Sequence, residues 1–126
     1  IGFFDKNIFL YYEDDDLCLR ARKAGLGLVY VPQARALHIM GASSGAAKPE
    51  AEYFKQRHLV YSRLYLEEKY KGERAAQKLA KRLNLEYAAK ASWYTFFFNK
   101  AKINRYRGRI AGVFEFNEQP ASKRKL

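Results

Sequence analysis

The sequence predicts an α/β arrangement on three observations: two short β-prone runs at Ile8–Tyr12 and Leu28–Val31, an acidic helix start between them, and long apolar stripes of helical period beyond residue 50. The opening residues Ile1 to Asn7 read as a loop, and Ile8–Tyr12 ends abruptly in Glu13-Asp14-Asp15-Asp16. From Asp16 onward Leu17, Ala21 and Ala24 recur at helical spacing. Arg20, Arg22 and Lys23 then fall in the last turns, where the helix dipole favours cations, and Gly25 suits a C-terminal cap. Leu28–Val31 is a compact strand stopped by Pro32, and Arg35–Met40 is a second extended piece leading into the small-residue loop Gly41–Gly45. From about Glu50 one helical stripe carries Tyr53, Phe54, Val60, Tyr61, Leu64 and Tyr65, and Gly72 punctuates it. A second helix from about Glu73 presents Ala76, Leu79, Ala80 and Leu83. A third spans about Lys100 to Phe114 despite Gly108 and Gly112, with the aromatic run Trp93–Phe98 between the two. The expected divisions are residues 1–48, a basic helical extension over 49–121, and a disordered tail over 122–126.

At 126 residues, 48% hydrophobic and 16% aromatic, the chain has enough apolar surface for a core. It begins with Ile1 rather than Met, so the expectation is a piece of a longer protein. No apolar run approaches the roughly 18 residues of a membrane span, and the start lacks a charged-then-apolar signal segment. The lone Cys18 fits a reducing compartment. Net charge is +11, and its distribution is uneven: residues 1–50 hold six Lys/Arg and six Asp/Glu, whereas 51–126 hold eighteen and seven. A neutral first part and a basic second part suggest two tasks, one chemical and one directed at a polyanion.

Three roles suit the acidic turn on local physics: general base catalysis, cation binding, or helix capping. Carboxylates at a helix N-terminus gain about 0.3–1 kcal/mol from the dipole, so capping accounts for some of them. Four consecutive acids exceed what capping needs, and they repel one another.

The elements Gly2-Phe3-Phe4-Asp5, then Phe9-Leu10-Tyr11-Tyr12-Glu13-Asp14-Asp15-Asp16-Leu17-Cys18-Leu19-Arg20, then Gly25, Val29-Tyr30-Val31-Pro32 and His38, together resemble family 2 glycosyltransferases. The resemblance spans about residues 1–58 and is strongest to the bacterial rhamnosyltransferase-like branch. It implies that 1–48 is the acceptor- and metal-side part of a GT-A fold, with short strands and one capped helix, followed by a mainly helical extension. The intact protein would then be an inverting transferase moving a sugar from a nucleotide-diphosphate donor to a glycan or lipid-linked acceptor. The missing N-terminal nucleotide-binding half would leave the fragment inactive alone. The aspartate of the Glu-Asp pair, here Asp14, would be the general base, with Glu13, Tyr12 and Asp16 on the acceptor side. Asp16 would also cap the helix and fix the turn. Asp15 departs from the family pattern, which has an apolar, β-branched or aromatic residue there. Reading Asp14-Asp15-Asp16 as the metal-binding Asp-x-Asp motif fails, because a nucleotide-binding α/β unit cannot fit in the thirteen preceding residues.

The same resemblance makes His38 a ligand of a divalent cation, Mn²⁺ or Mg²⁺, whose remaining ligands are absent from this chain. An imidazole suits Mn²⁺ better. Ser43 and Ser44, in the small-residue loop, would contact the donor as part of a lid, or the loop is a plain connector. Arg57 would reach a donor phosphate or stand as a helix-face cation. His58 is read as packing.

In the C-terminal half, interleaved aromatics and cations carry no nucleic-acid-binding signature, so nucleic acid is not expected as a partner. Trp93, Tyr94 and Phe96–Phe98 would insert at the headgroup boundary of an anionic membrane, with Lys90, Lys100, Lys102, Arg105, Arg107 and Arg109 meeting its lipids, or they pack the helices together. The expected location is cytoplasmic, peripheral at the inner face of the cell membrane. The competing reading is a noncatalytic basic module that binds membranes or partners, its acidic turn only a helix start.

Overall fold

A computed structural model of the chain describes residues 1–37 and 49–119. Its elements are α1 (Glu13–Lys23), α2 (Pro49–Lys71), α3 (Glu73–Phe96) and α4 (Lys100–Glu118). The expected α/β class is therefore corrected: among the described residues there is no strand, and the fold is all-α. The physical reason is that a strand exists only when paired. Leu28–Val31 forms no regular element and has no neighbouring strand among the described residues, and Val29 and Tyr30 are 83% and 86% exposed. Ile8 is buried, but its run ends in a tight reversal rather than a ladder.

The ends of α1 follow its local chemistry. Four acids occupy the first turn and three cations the last. At the C-terminus the Leu26 amide donates to the Ala21 carbonyl (3.0 Å) and the Gly25 amide to that of Arg22 (3.1 Å), with Gly25 at φ +78. This is the six-to-one and five-to-two pairing of a Schellman cap, which needs a left-handed residue where glycine stands.

Gly72, at φ +89, separates α2 from α3 with a one-residue break. The α3–α4 turn is tighter than the aromatic run suggested, because α3 continues through Trp93–Phe96 before turning at Phe97 and Phe98. Tyr94 explains the continuation: its ring stacks on Tyr106 at 5.6 Å and 10°, holding the last turns of α3 against α4. Asn99 caps α4, its Oδ1 accepting from the Lys102 amide at 3.1 Å.

Helices α2, α3 and α4 form an up-down-up bundle. Glu52 pairs with Arg105, Gln56 with Arg109, and Tyr61 with Gln119, so the partners advance together and α2 runs parallel to α4. The core between the three holds Val60, Leu64, Ala76, Ala80, Leu83, Tyr87, Tyr106, Val113 and Phe116. Along the α2–α4 seam the two glycines that propensity disfavours have a packing role. A Cβ on Gly108 would lie 2.5 Å from the Tyr53 carbonyl oxygen, and one on Gly112 would lie 2.4 Å from that of Arg57. Only a hydrogen fits, so the backbones approach closely over one full turn of each helix.

Candidate functional site

The N-terminal segment lies on the outer face of α2. The Leu10 carbonyl accepts from the buried Ser62 hydroxyl (2.9 Å), and Phe9 packs on Phe54 and His58 with ring centroids 5.9 and 5.1 Å away. His58 is thus a packing residue, and burial pushes its pKa below the usual 6.5. Tyr11 and Tyr12 then adopt left-handed backbone angles, φ 66 and 68. Two successive non-glycine residues in this region are costly, and they turn the chain so that α1 meets the C-terminal end of α2 at Lys69 and Tyr70.

That turn divides the four acids. Asp14 and Asp15 are exposed, and Asp14 Oδ1 accepts from the Asp15 amide at 2.9 Å. Asp16 is fully buried. Its carboxylate accepts from Arg20 Nε (2.8 Å), Lys69 Nζ (2.7 Å) and the Tyr70 hydroxyl (2.8 Å). Lys69 also reaches Asp5 Oδ2 at 2.6 Å, and Asp5 accepts from Tyr65 at 2.9 Å. Lys69 therefore sits between two carboxylates and ties both ends of the segment to α2. Glu13 is half-buried, and its Oε2 is buried without a hydrogen-bond partner. Tyr12 lines an open groove of about 240 Å³ with Leu19, Arg63, Leu66 and Tyr70.

The electrostatics of Asp16 follow from this packing. Burial by itself would raise its pKa, but hydrogen bonds from Lys69, Arg20 and Tyr70 outweigh that and hold it below the ordinary 3.8. Asp5 is likewise lowered against its own burial, by Lys69, the Asn7 amide and Tyr65. Tyr70 is pushed up to about 12 by burial and by its bond to Asp16. Because the folded carboxylates titrate lower than unfolded ones, their stabilisation is complete above the ordinary carboxylate pKa and is lost as pH falls through the lowered folded values. Thermal stability measured against pH should therefore drop below about pH 4, and Asp16→Asn should flatten that drop. An unchanged acid limb in the variant would show that Asp16 is not the linked group.

The other expected site residues are placed elsewhere or lie outside the described residues. Arg57, expected at a donor phosphate or as an exposed helix-face cation, is clamped to Glu115 by its Nε and an Nη at 2.7 and 2.8 Å, linking α2 to α4. His38, Ser43 and Ser44, with the rest of 38–48 and the tail 120–126, lie outside the described residues. Among the described residues no group of three or more His, Cys, Asp or Glu gathers to hold a metal ion. Sequence reasoning missed Lys69, Tyr70 and Asp5; their positions signalled only a helix face and a loop.

No family profile matches the chain, and no solved structure does. Rhamnosyltransferase WbbL of Escherichia coli K12 is 54% identical over 35 residues, 28% of this chain and 13% of that protein. Over this stretch the chain is similar to glycosyltransferases. The N-acetylglucosaminyl-diphospho-decaprenol L-rhamnosyltransferase of Mycobacterium tuberculosis H37Rv is 49% identical over 45 residues, 36% of this chain and 15% of that enzyme. The same enzyme from strain CDC 1551 matches equally. The chain thus spans 13–15% of the length of these relatives.

Proposed function

We propose that the chain is part of an inverting glycosyltransferase in which Asp14 is the general base. The observation that carries this reading is the division of the acidic quartet: Asp16 is buried and saturated by Lys69, Arg20 and Tyr70, whereas Asp14 two residues earlier is open to solvent. The short similarity to rhamnosyltransferases supports the same chemistry.

In this reaction an acceptor hydroxyl attacks the anomeric carbon as Asp14 takes its proton. The bond from that carbon to the donor phosphate oxygen breaks, and the nucleoside diphosphate leaves from the opposite face. A hydroxyl is a poor nucleophile unless its proton is removed as it attacks, so the base must come within about 2.6–3.2 Å of the acceptor oxygen. Asp16 contributes by anchoring the turn, and Tyr12 and the unpartnered Glu13 oxygen contribute the acceptor side. His38 would give one ligand to a divalent cation, with the others supplied from outside this chain. Rhamnose is the favoured sugar and a lipid diphosphate-linked glycan the favoured acceptor, by analogy with the matched relatives. The matched stretches are only 13–15% of those relatives, and the 126-residue chain alone is expected to be inactive.

The test is a transfer assay with the intact protein, a nucleotide-activated rhamnose and a polyprenyl-diphosphate-linked N-acetylglucosamine. A glycosylated lipid with inverted anomeric configuration is expected. Failure to transfer any nucleotide-activated sugar to any lipid-linked or free glycan acceptor would remove the reading.

A further inference from the structure

The α3–α4 turn presents a cluster of aromatics that the fold does not use. Trp93, Phe96, Phe97 and Phe98 are 62%, 75%, 56% and 87% exposed. They are grouped rather than scattered: Phe97 lies 4.9 Å from Trp93 and 5.2 Å from Phe96, ring centre to ring centre. Phe98 is held at φ 54, a left-handed angle that a bulky residue rarely adopts, and it carries the most exposed ring of the four. Tyr94 in the same run does pack, on Tyr106, so the bundle takes one ring and leaves four at its end.

The surrounding charge is mainly positive, although Glu86 pairs with Lys90 and Glu52 with Arg105. Between Tyr87 and Phe114 the sequence has six cations (Lys90, Lys100, Lys102, Arg105, Arg107 and Arg109) and no acid. Lys100 and Lys102 stand in the first turn of α4, where the helix dipole disfavours cations and no acid offsets them. Glu50 and Glu52 begin α2 at this same end, and Glu52 is held by Arg105 at 2.7 Å. An apolar tip flanked by Lys100 and Lys102 matches the boundary of an anionic bilayer, where aromatic rings enter the headgroup layer and lysines meet the lipid phosphates. No helix of the described residues is long and apolar enough to cross a membrane.

We infer that the α3–α4 turn is a docking tip for an anionic lipid surface, inserting Trp93, Phe96 and Phe98 while Lys100 and Lys102 bind the headgroups. This surface is independent of the sugar-transfer reading.

Trp93 is the single tryptophan of the chain, so its fluorescence reports this tip alone. With vesicles of phosphatidylglycerol and phosphatidylcholine carrying brominated acyl chains, Trp93 emission should shift to the blue and be quenched at low salt. The effect should weaken in high salt and vanish with phosphatidylcholine alone. Lys100→Gln with Lys102→Gln should lower partitioning by about thirtyfold. Phe96→Ser with Phe98→Ser should abolish the binding without changing helicity, since both rings are exposed. Absence of quenching by anionic vesicles at low salt would overturn the inference. So would vesicle binding that leaves Trp93 unquenched, or binding to single-stranded RNA with none to vesicles.

Discussion

Asp14→Asn in the intact protein should reduce turnover by about 10²–10⁴-fold, the usual contribution of a positioned general base. Asparagine keeps the size of the side chain and one acceptor oxygen but cannot take the proton of the attacking hydroxyl. Donor affinity should be retained, because the role proposed for Asp14 is on the acceptor. Melting temperature should also be retained, because the side chain is exposed and contributes nothing to the anchoring of α1 on α2. Asp16→Asn is the informative contrast. That change weakens the bonds to Lys69 and Arg20, so its first effect is on stability, and any loss of activity should track unfolding. Retained turnover in Asp14→Asn, measured with saturating donor and acceptor, would exclude Asp14 as the base and turn attention to Glu13 and Asp15.

Gly112→Ala sets two physical effects against each other. In an open helix the change would stabilise by about 1 kcal/mol, through helix propensity alone. Here the added carbon would meet the Arg57 carbonyl oxygen at 2.4 Å and Val60 Cβ at 3.1 Å. A backbone oxygen inside a helix cannot swing aside as a side chain can, so α4 must move away from α2. That movement would loosen the packing of Val113 and Phe116 and lengthen the Arg57–Glu115 bonds. Overpacking of this kind costs about 1–3 kcal/mol. The upper end applies where the obstruction is backbone, and it exceeds the propensity gain. A fall in melting temperature of roughly 10 °C is expected for a bundle of this size. Gly108→Ala should act in the same direction, against Tyr53. A rise in melting temperature for Gly112→Ala would mean that α2 and α4 do not approach this closely.

The helices were legible because their signals are local. Apolar spacing, the glycine after α1 and the break at Gly72 act within a turn or two, and no distant residue is needed to complete them. The strands were misread for the opposite reason. Leu28–Val31 has the composition of a strand, but pairing depends on a partner, and none lies among the described residues. The acidic turn was legible as a site of unusual charge but not in its division of labour. Asp16 is buried by Lys69 and Tyr70, more than fifty positions later in the chain, and no local pattern says which of four adjacent acids will face them. The pairing of Arg57 with Glu115 was illegible for the same reason, since Glu115 lies fifty-eight residues away. Gly108 and Gly112 looked like flaws in a helix until a second backbone was seen against them.

The parallel pairing of α2 with α4 bears on the order in which the chain assembles. These two helices share the most extensive interface in the bundle, yet their bonded partners are 53 to 58 residues apart, with all of α3 between them. Closing so long a loop has an entropic cost that the neighbouring helix pairs do not bear. The α2–α3 hairpin, joined through a single glycine, can form first and supply the surface on which α4 settles. The aromatic turn takes its final shape only in that last step, when Tyr94 finds Tyr106 and Asn99 caps the new helix. A chain arrested before α4 docks would therefore keep the α2–α3 hairpin while lacking the Tyr94–Tyr106 stack that holds the last turns of α3 against α4.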